Sequence, residues 1–288
     1  MQYLPRLRSL TLRLDPSSDD EWERQLDNMA DLSPFLLIPS LRTLRCEGLR
    51  FYDTQHNESY PRPVTKLSDW LKKHSHSNVQ EFYLYNCAVG GNDFLPLINF
   101  MPGLQRFHYT AVDPWGGVHC DSMASLIREN RTSWRELRFD LMPDTERARL
   151  HSWCKVHDQP WCDLSSMTAL EVVGFPALLL HEKYSRIPPE HRRSPLSWML
   201  PCQNLHTLEL REYGWSEDLL MVQEALRALI NDERFSTLTR IELSTNNDWN
   251  KPVPEFPQEM LLPGWSAATI DRSLHVYLSL TVLTRTGT

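Results

Sequence analysis

Apolar residues recur along this chain in one short phrase: an apolar residue, two others, a second apolar residue, one other, and a third. The phrase occurs eight times, at Leu7-Leu10-Leu12, Leu41-Leu44-Cys46, Val79-Phe82-Leu84, Leu104-Phe107-Tyr109, Trp134-Leu137-Phe139, Met167-Leu170-Val172, Leu205-Leu208-Leu210 and Leu238-Ile241-Leu243. Alternation over its last two positions predicts a short strand with one buried face, because successive side chains of a strand point to opposite sides. Between the strands lie stretches of helical patterning, over residues 19–31, 65–74, 92–101, 121–130, 144–155 and 216–232. In the last of these Leu219, Leu220, Val222, Leu226 and Leu229 form one apolar stripe behind the capping residue Ser216. The central apolar residues, at 10, 44, 82, 107, 137, 170, 208 and 241, are 25 to 38 residues apart. That distance accommodates a crossover helix, so the strands are expected to run parallel.

In places the phrase continues with a small polar or sulfur residue and a further apolar one, most fully in Val79-Phe82-Leu84-Cys87-Val89. This spacing resembles the leucine-rich repeat, in which a strand is followed by a tight bend where Asn or Cys serves the backbone of the next coil. A single such unit cannot bury its own apolar face, so stability requires stacking. The expected fold class is α/β: an irregular leucine-rich repeat solenoid, its parallel sheet on the concave face and its helices and loops on the convex face. One domain over residues 1–288 is expected, with about eight repeats and a ninth, irregular strand in the alternating segment 273–283. Proline-rich polar insertions at 52–64, 112–118, 176–195 and 245–263 each follow a strand, and loops leaving the same end of stacked strands build one rim. The first strand starts within a few residues of Met1, so an upstream segment or a partner is expected to cover the first repeat.

The phrases Leu41-Arg-Thr-Leu-Arg-Cys, Leu205-His-Thr-Leu-Glu-Leu and Trp134-Arg-Glu-Leu-Arg-Phe are similar to those in the leucine-rich regions of fungal F-box-type proteins. That resemblance covers nearly the whole chain and implies an architecture. In that family an N-terminal F-box binds the adaptor of a cullin (SCF-type) ubiquitin ligase, and the repeats present substrates. No F-box precedes Leu4, so an adaptor contact is expected only where an F-box lies upstream.

Composition narrows the partners. With 41% hydrophobic and 23% charged residues the chain is globular in character. A net charge of −7 disfavours nucleic acid and anionic membranes as main partners. No apolar run approaches the length of a bilayer span, and no secretion signal opens the chain. The six cysteines lack the spacing of a disulfide framework, which points to a reducing compartment, cytoplasm or nucleus.

Side chains between the core positions of each strand face away from the core. The residue between the last two apolar positions reads Thr11, Arg45, Tyr83, His108, Arg138, Glu171, Glu209 and Glu242, and Tyr85 stands beside Tyr83. A strip that starts basic and aromatic and ends acidic supplies anchors and orienting charges for a protein partner. The expected binding residues are therefore Arg45, Tyr83, Tyr85, His108, Arg138, Glu171, Glu209 and Glu242. A solvated face of mixed charge is the alternative.

Other constellations carry less. His151, Cys154, His157 and Cys162 are metal-binding residue types, but successive ligands at that spacing do not converge easily on one ion, so no metal is expected. In His119-Cys120-Asp121 adjacency does not give attack geometry, and Asp121 is better read as a helix N-cap. With ten glycines and no Gly-rich phosphate loop or nucleophile elbow, neither cofactor nor catalytic residue is expected. The segment Pro188-Pro-Glu-His-Arg-Arg reads as a solvated basic loop. The expected function is a non-catalytic protein-interaction scaffold, with substrate recognition for a ubiquitin ligase as its extension. A structural assembly role and an enzyme using the rim loops are the alternatives.

Overall fold

The computed structural model describes residues 6–13, 32–51, 73–85, 87–89, 91–110, 133–140, 163–180, 188–211, 217–246, 264–272 and 278–285. The chain divides into two compact units, Met1–Leu126 and Ile127–Thr288. The first contains β1 (Ser9–Arg13), α1 (Ser33–Leu36), β2 (Thr43–Glu47), β3 (Arg50–Phe51), β4 (Glu81–Tyr85), β5 (Ala88–Val89), α2 (Gly91–Asn99) and β6 (Arg106–Thr110). Its main strands lie in the order β1-β2-β4-β6, all parallel, and β3 pairs with β5 in a separate parallel ribbon. The second contains β7 (Glu136–Asp140), β8 (Val172–Pro176), α3 (Pro195–Met199), β9 (Thr207–Arg211), α4 (Glu217–Ile230), β10 (Arg240–Asn246), β11 (Trp265–Arg272) and β12 (Leu278–Arg285). Here β7-β8-β9-β10 are parallel, while β12 and β11 close the order as an antiparallel pair beside β10. Both units are α/β with mostly parallel sheets.

The apolar phrase fixes which side of each strand is buried. Leu44 and Cys46, Phe82 and Leu84, and Phe107 and Tyr109 are all buried in the first unit; Leu137 and Phe139, Leu208 and Leu210, and Ile241 and Leu243 are buried in the second. Burying such a side chain contributes about 1.5–3 kcal/mol. In β1, by contrast, Leu10 and Leu12 are only half-buried.

Two devices recur at the described strand starts. The carbonyl at the position after the first apolar residue accepts two backbone N–H groups from the next strand. Arg8, Arg42, Gln80, Arg135, Glu171 and His206 all do this, at 2.7–3.1 Å. Just upstream, the N–H of Leu41, Leu104, Leu170 and Leu238 closes a turn onto the carbonyl of Ile38, Met101, Met167 and Phe235, at 3.0–3.1 Å. A polar residue directly before the first apolar position stitches neighbouring strand starts together. Ser40 and Thr237 reach the carbonyls of Leu7 and Leu205 with hydroxyls, while Asn78 and Asn204 reach those of Pro39 and Thr168 with longer amides.

These devices correct the sixth phrase. Val173, not Leu170, pairs in register with Leu137 and Leu208, and Gly174 pairs with Arg138 and Glu209. The strand phrase is Leu170-Val173-Phe175. Met167 belongs to the preceding turn, whose apolar residue lies three before the first strand residue and so copies the strand spacing. Glu171 therefore sits at the strand start, out of the row in which the sequence placed it.

Other expectations divide. The helix expected over 92–101 is α2, and that over 216–232 is α4, with Val222, Leu226 and Leu229 buried and Glu224 and Arg227 exposed. Of the ninth strand expected over 273–283, residues 278–283 belong to β12, which is antiparallel to β10 and β11, and 273–277 lie outside the described residues. The expected helices 19–31, 121–130 and 144–155, the insertions 52–64 and 112–118, and the His119 and His151–Cys162 groups lie outside the described residues, as do most of 65–74 and 247–263. Where insertion 176–195 is described, it includes two short 3-10 turns, Ala177–Leu180 and Pro189–His191. His191 of the basic segment stacks on Trp198 at 5.2 Å.

Cys46 and Cys87 are buried free thiols. Burial, then the neighbouring sulfur, pushes the Cys46 thiol well above its ordinary range; burial raises the Cys87 thiol to about 12. Both stay protonated at neutral pH, which removes their nucleophilicity. The Cys87 sulfur lies 3.4 Å from the carbonyls of Cys46 and Tyr85, while its backbone N–H donates to the carbonyl of Thr110 in the next strand, β6, at 3.1 Å.

Candidate functional site

In the first unit the strand register carries Thr11, Arg45, Tyr83 and His108 side by side. The next outward row starts Arg13, Glu47, Tyr85, and the row before it is Ser9, Thr43, Glu81, Arg106. Because Tyr83 and Tyr85 are alternate residues of β4 they share a face, and their rings stack at 5.8 Å with an interplanar angle of 15°. The Arg45 guanidinium lies over both, 5.2 Å from the Tyr83 ring centre and 5.4 Å from that of Tyr85. From the other side His108 meets Tyr83 edge-on at 4.6 Å, and its Nδ1 shares a 3.0 Å hydrogen bond with the Tyr85 hydroxyl. Three adjacent strands thus hold one cation, two phenols and one imidazole together.

Glu81 supports this cluster. Its Oε2 accepts hydrogen bonds from the Tyr83 hydroxyl at 3.3 Å and the Thr43 hydroxyl at 3.1 Å, and its Oε1 accepts one from Arg106 at 2.8 Å. Burial and then the Glu81 charge raise the Tyr83 phenol above its ordinary value, so it remains a donor. The sequence reading passed over Glu81 and Arg106. They stand two residues before the chosen row, where the same alternation puts side chains on the same face.

The second unit handles the same positions differently. Its row reads Arg138, Gly174, Glu209, Glu242. Arg138 spans the strand between and donates to Glu209 Oε1 through Nε at 2.7 Å and Nη2 at 2.6 Å. A Cβ on Gly174 would stand 3.1 Å from Arg138 Cγ and 3.1 Å from Glu209 Oε2, so the pair closes through the space that glycine leaves. Arg211 donates to the other Glu209 oxygen at 2.8 Å, and Glu136 also pairs with Arg138. Burial by itself would raise the Glu209 carboxyl; the hydrogen bonds and charges of Arg138, then of Arg211, outweigh it and hold the group below the ordinary carboxylate range. Glu242 pairs with Arg240 on its own strand at 2.6 Å, and Glu171, off the row, pairs with Arg135 at 3.6 Å.

The row is not uniformly solvated. Tyr83 and His108 are 8% exposed and Glu209 5%, while Arg45 is exposed and Arg138, Glu171 and Glu242 are half-buried. The expectation of one exposed strip fails at Tyr83, His108 and Glu209, because neighbouring long side chains lie over them. The structure gathers Arg45, Tyr83, Tyr85 and His108 into one cluster and joins Arg138 to Glu209 in another. Among the described residues no group of three or more His, Cys, Asp or Glu side chains is arranged for a metal ion, and no helix is long and apolar enough to cross a membrane. No family model matches the chain, and no curated protein matches it either.

Proposed function

We propose that this chain is a non-catalytic, leucine-rich-repeat-type solenoid that recognises another protein through the Arg45, Tyr83, Tyr85 and His108 cluster. The observation that carries the reading is the state of that cluster before any partner arrives. Two tyrosines, an arginine and a histidine are already fixed by Glu81, by mutual stacking and by the Tyr85–His108 bond. Aromatic and arginine anchors held in place lose little entropy on binding, and such residues dominate interface energies. Extended to the F-box resemblance, the partner is a substrate presented to a ubiquitin ligase in the cytoplasm or nucleus, with a cullin-ligase adaptor engaged where an F-box lies upstream.

The test compares proteins captured from a native extract by the parent chain, by Tyr83→Ala/Tyr85→Ala and by Glu171→Ala, an out-of-row control. Partners retained by the control and lost from the double variant support the reading. A captured set that is the same for all three removes the cluster from it. Removing this protein from cells should lengthen the lifetime of a true ligase substrate; an unchanged lifetime leaves an interaction scaffold without the ligase role.

A further inference from the structure

We infer that the cluster recognises a carboxylate of its partner, gripped by Arg45, with an apolar or aromatic neighbour lying against Tyr83 and Tyr85. This deepens the binding reading above and rests on it. The argument begins with the arginines. On the main strands of the first unit there are three, and Arg13 is paired with Glu47 and Arg106 with Glu81. Arg45 has no carboxylate partner among the described residues; its contacts are the faces of the two tyrosine rings. In the second unit Arg138, Arg211 and Arg240, on comparable strands, all have carboxylates.

Stacking on a ring uses the flat face of a guanidinium and leaves the N–H donors around its edge. Those donors form a fork that fits a carboxylate in bidentate geometry. The exposed side chain of Arg45 makes the fork accessible, and the tyrosines beneath restrict its orientation.

Charge decides between carboxylate and phosphate. The outward positions of β1, β2, β4 and β6 carry Arg13, Arg45 and Arg106 against Glu47 and Glu81, which leaves one positive charge. A singly charged carboxylate balances it. A phosphate group of charge about −1.5 to −2 overshoots it and faces Glu47 and Glu81 as well. The chain's net charge of −7 adds a long-range bias against polyanions.

The experiment selects a displayed library of random linear peptides on the whole chain, then measures affinities of synthetic winners in three forms. These are the acidic peptide, the same peptide with Asn or Gln at the acidic position, and the same peptide with phosphoserine there. The inference expects Asp or Glu next to an aromatic or aliphatic residue among the winners, and about thirty-fold weaker binding of the amide form. Arg45→Gln should weaken the acidic peptide by a similar factor and leave the amide form unchanged. Arg45→Lys, which keeps the charge but not the planar fork, should recover only part of the loss. Arg45 is exposed, so its variants keep their fold, which circular dichroism checks.

Equal affinity of acidic and amide forms, tighter binding of the phosphoserine form, or an indifferent Arg45→Gln would each overturn the carboxylate inference. If binding then still falls with Tyr83→Ala/Tyr85→Ala, the cluster remains a binding site for another chemistry. If neither Arg45 nor the tyrosine variants affect any selected peptide, or none is selected, the binding reading fails together with the inference.

Discussion

Arg45 and Arg138 occupy the same step of the strand phrase in the two units, yet their surroundings diverge. Beyond Arg45 the next strand presents Tyr83 and the one after it His108. Beyond Arg138 the next strand presents Gly174, and the one after it Glu209. Two strands are roughly 9.5 Å apart, within an arginine's reach only when nothing stands between. Glycine leaves that space open, and the second unit closes its charges on themselves. Glu136, Arg138, Glu209, Arg211, Arg240 and Glu242 are all paired. In the first unit the middle strand carries tyrosine, the arginine rests on the ring, and among the described residues no carboxylate neutralises its charge. The side chain on the middle strand and the residue beyond it, His108 in one row and Glu209 in the other, together decide whether a face pairs internally or stays available to a partner.

The largest expected effect comes from filling the space. Gly174→Val places a branched side chain where Arg138 Cγ and Glu209 Oε2 lie 3.1 Å from a simple Cβ. It separates the pair and leaves the buried Glu209 carboxylate with Arg211 as its one remaining arginine, which, with the crowding, should cost about 3 kcal/mol. Urea unfolding measures it, and an unchanged midpoint would show that the pair moves apart freely.

A smaller loss, about 2 kcal/mol at pH 7, is expected for Glu209→Gln. Here the pH dependence is the sharper readout. The folded-state pKa of Glu209 is lowered, so its contribution is fully present above the ordinary carboxylate value of ~4.3 and is lost as pH falls through the folded value. The stability gap between parent and variant should accordingly be flat from neutral pH down to about 5 and shrink below it. A gap that widens with acid refutes the assignment.

The smallest effect belongs to the first unit. Arg45→Gln gives up exposed contacts with two rings and should cost only about 0.5 kcal/mol of stability, against about 2 kcal/mol for Arg138→Gln. Equal losses on thermal or urea unfolding would mean that Arg45 has a structural partner, and the contrast between the faces would collapse.

Much of this was legible in the chain. The spacing of Leu44 and Cys46, or of Leu208 and Leu210, determined which residues are buried, because strand alternation is a local property of the backbone and burial of alternate side chains follows from it. The amphipathic stripe of α4 and the adjacency of Tyr83 and Tyr85 follow from the same local rules. Tertiary structure decided the rest. Met167-Leu170-Val172 and Leu170-Val173-Phe175 satisfy one spacing equally well; only hydrogen bonds to Arg135 and pairing with Leu137 and Leu208 select the second. The antiparallel return of β12 beside β10 left no local mark, since alternation does not encode direction. Nor could the row of charges announce that Glu209 is buried between two arginines while no described carboxylate opposes Arg45. Those partners come from strands up to 71 residues distant, brought together by register alone.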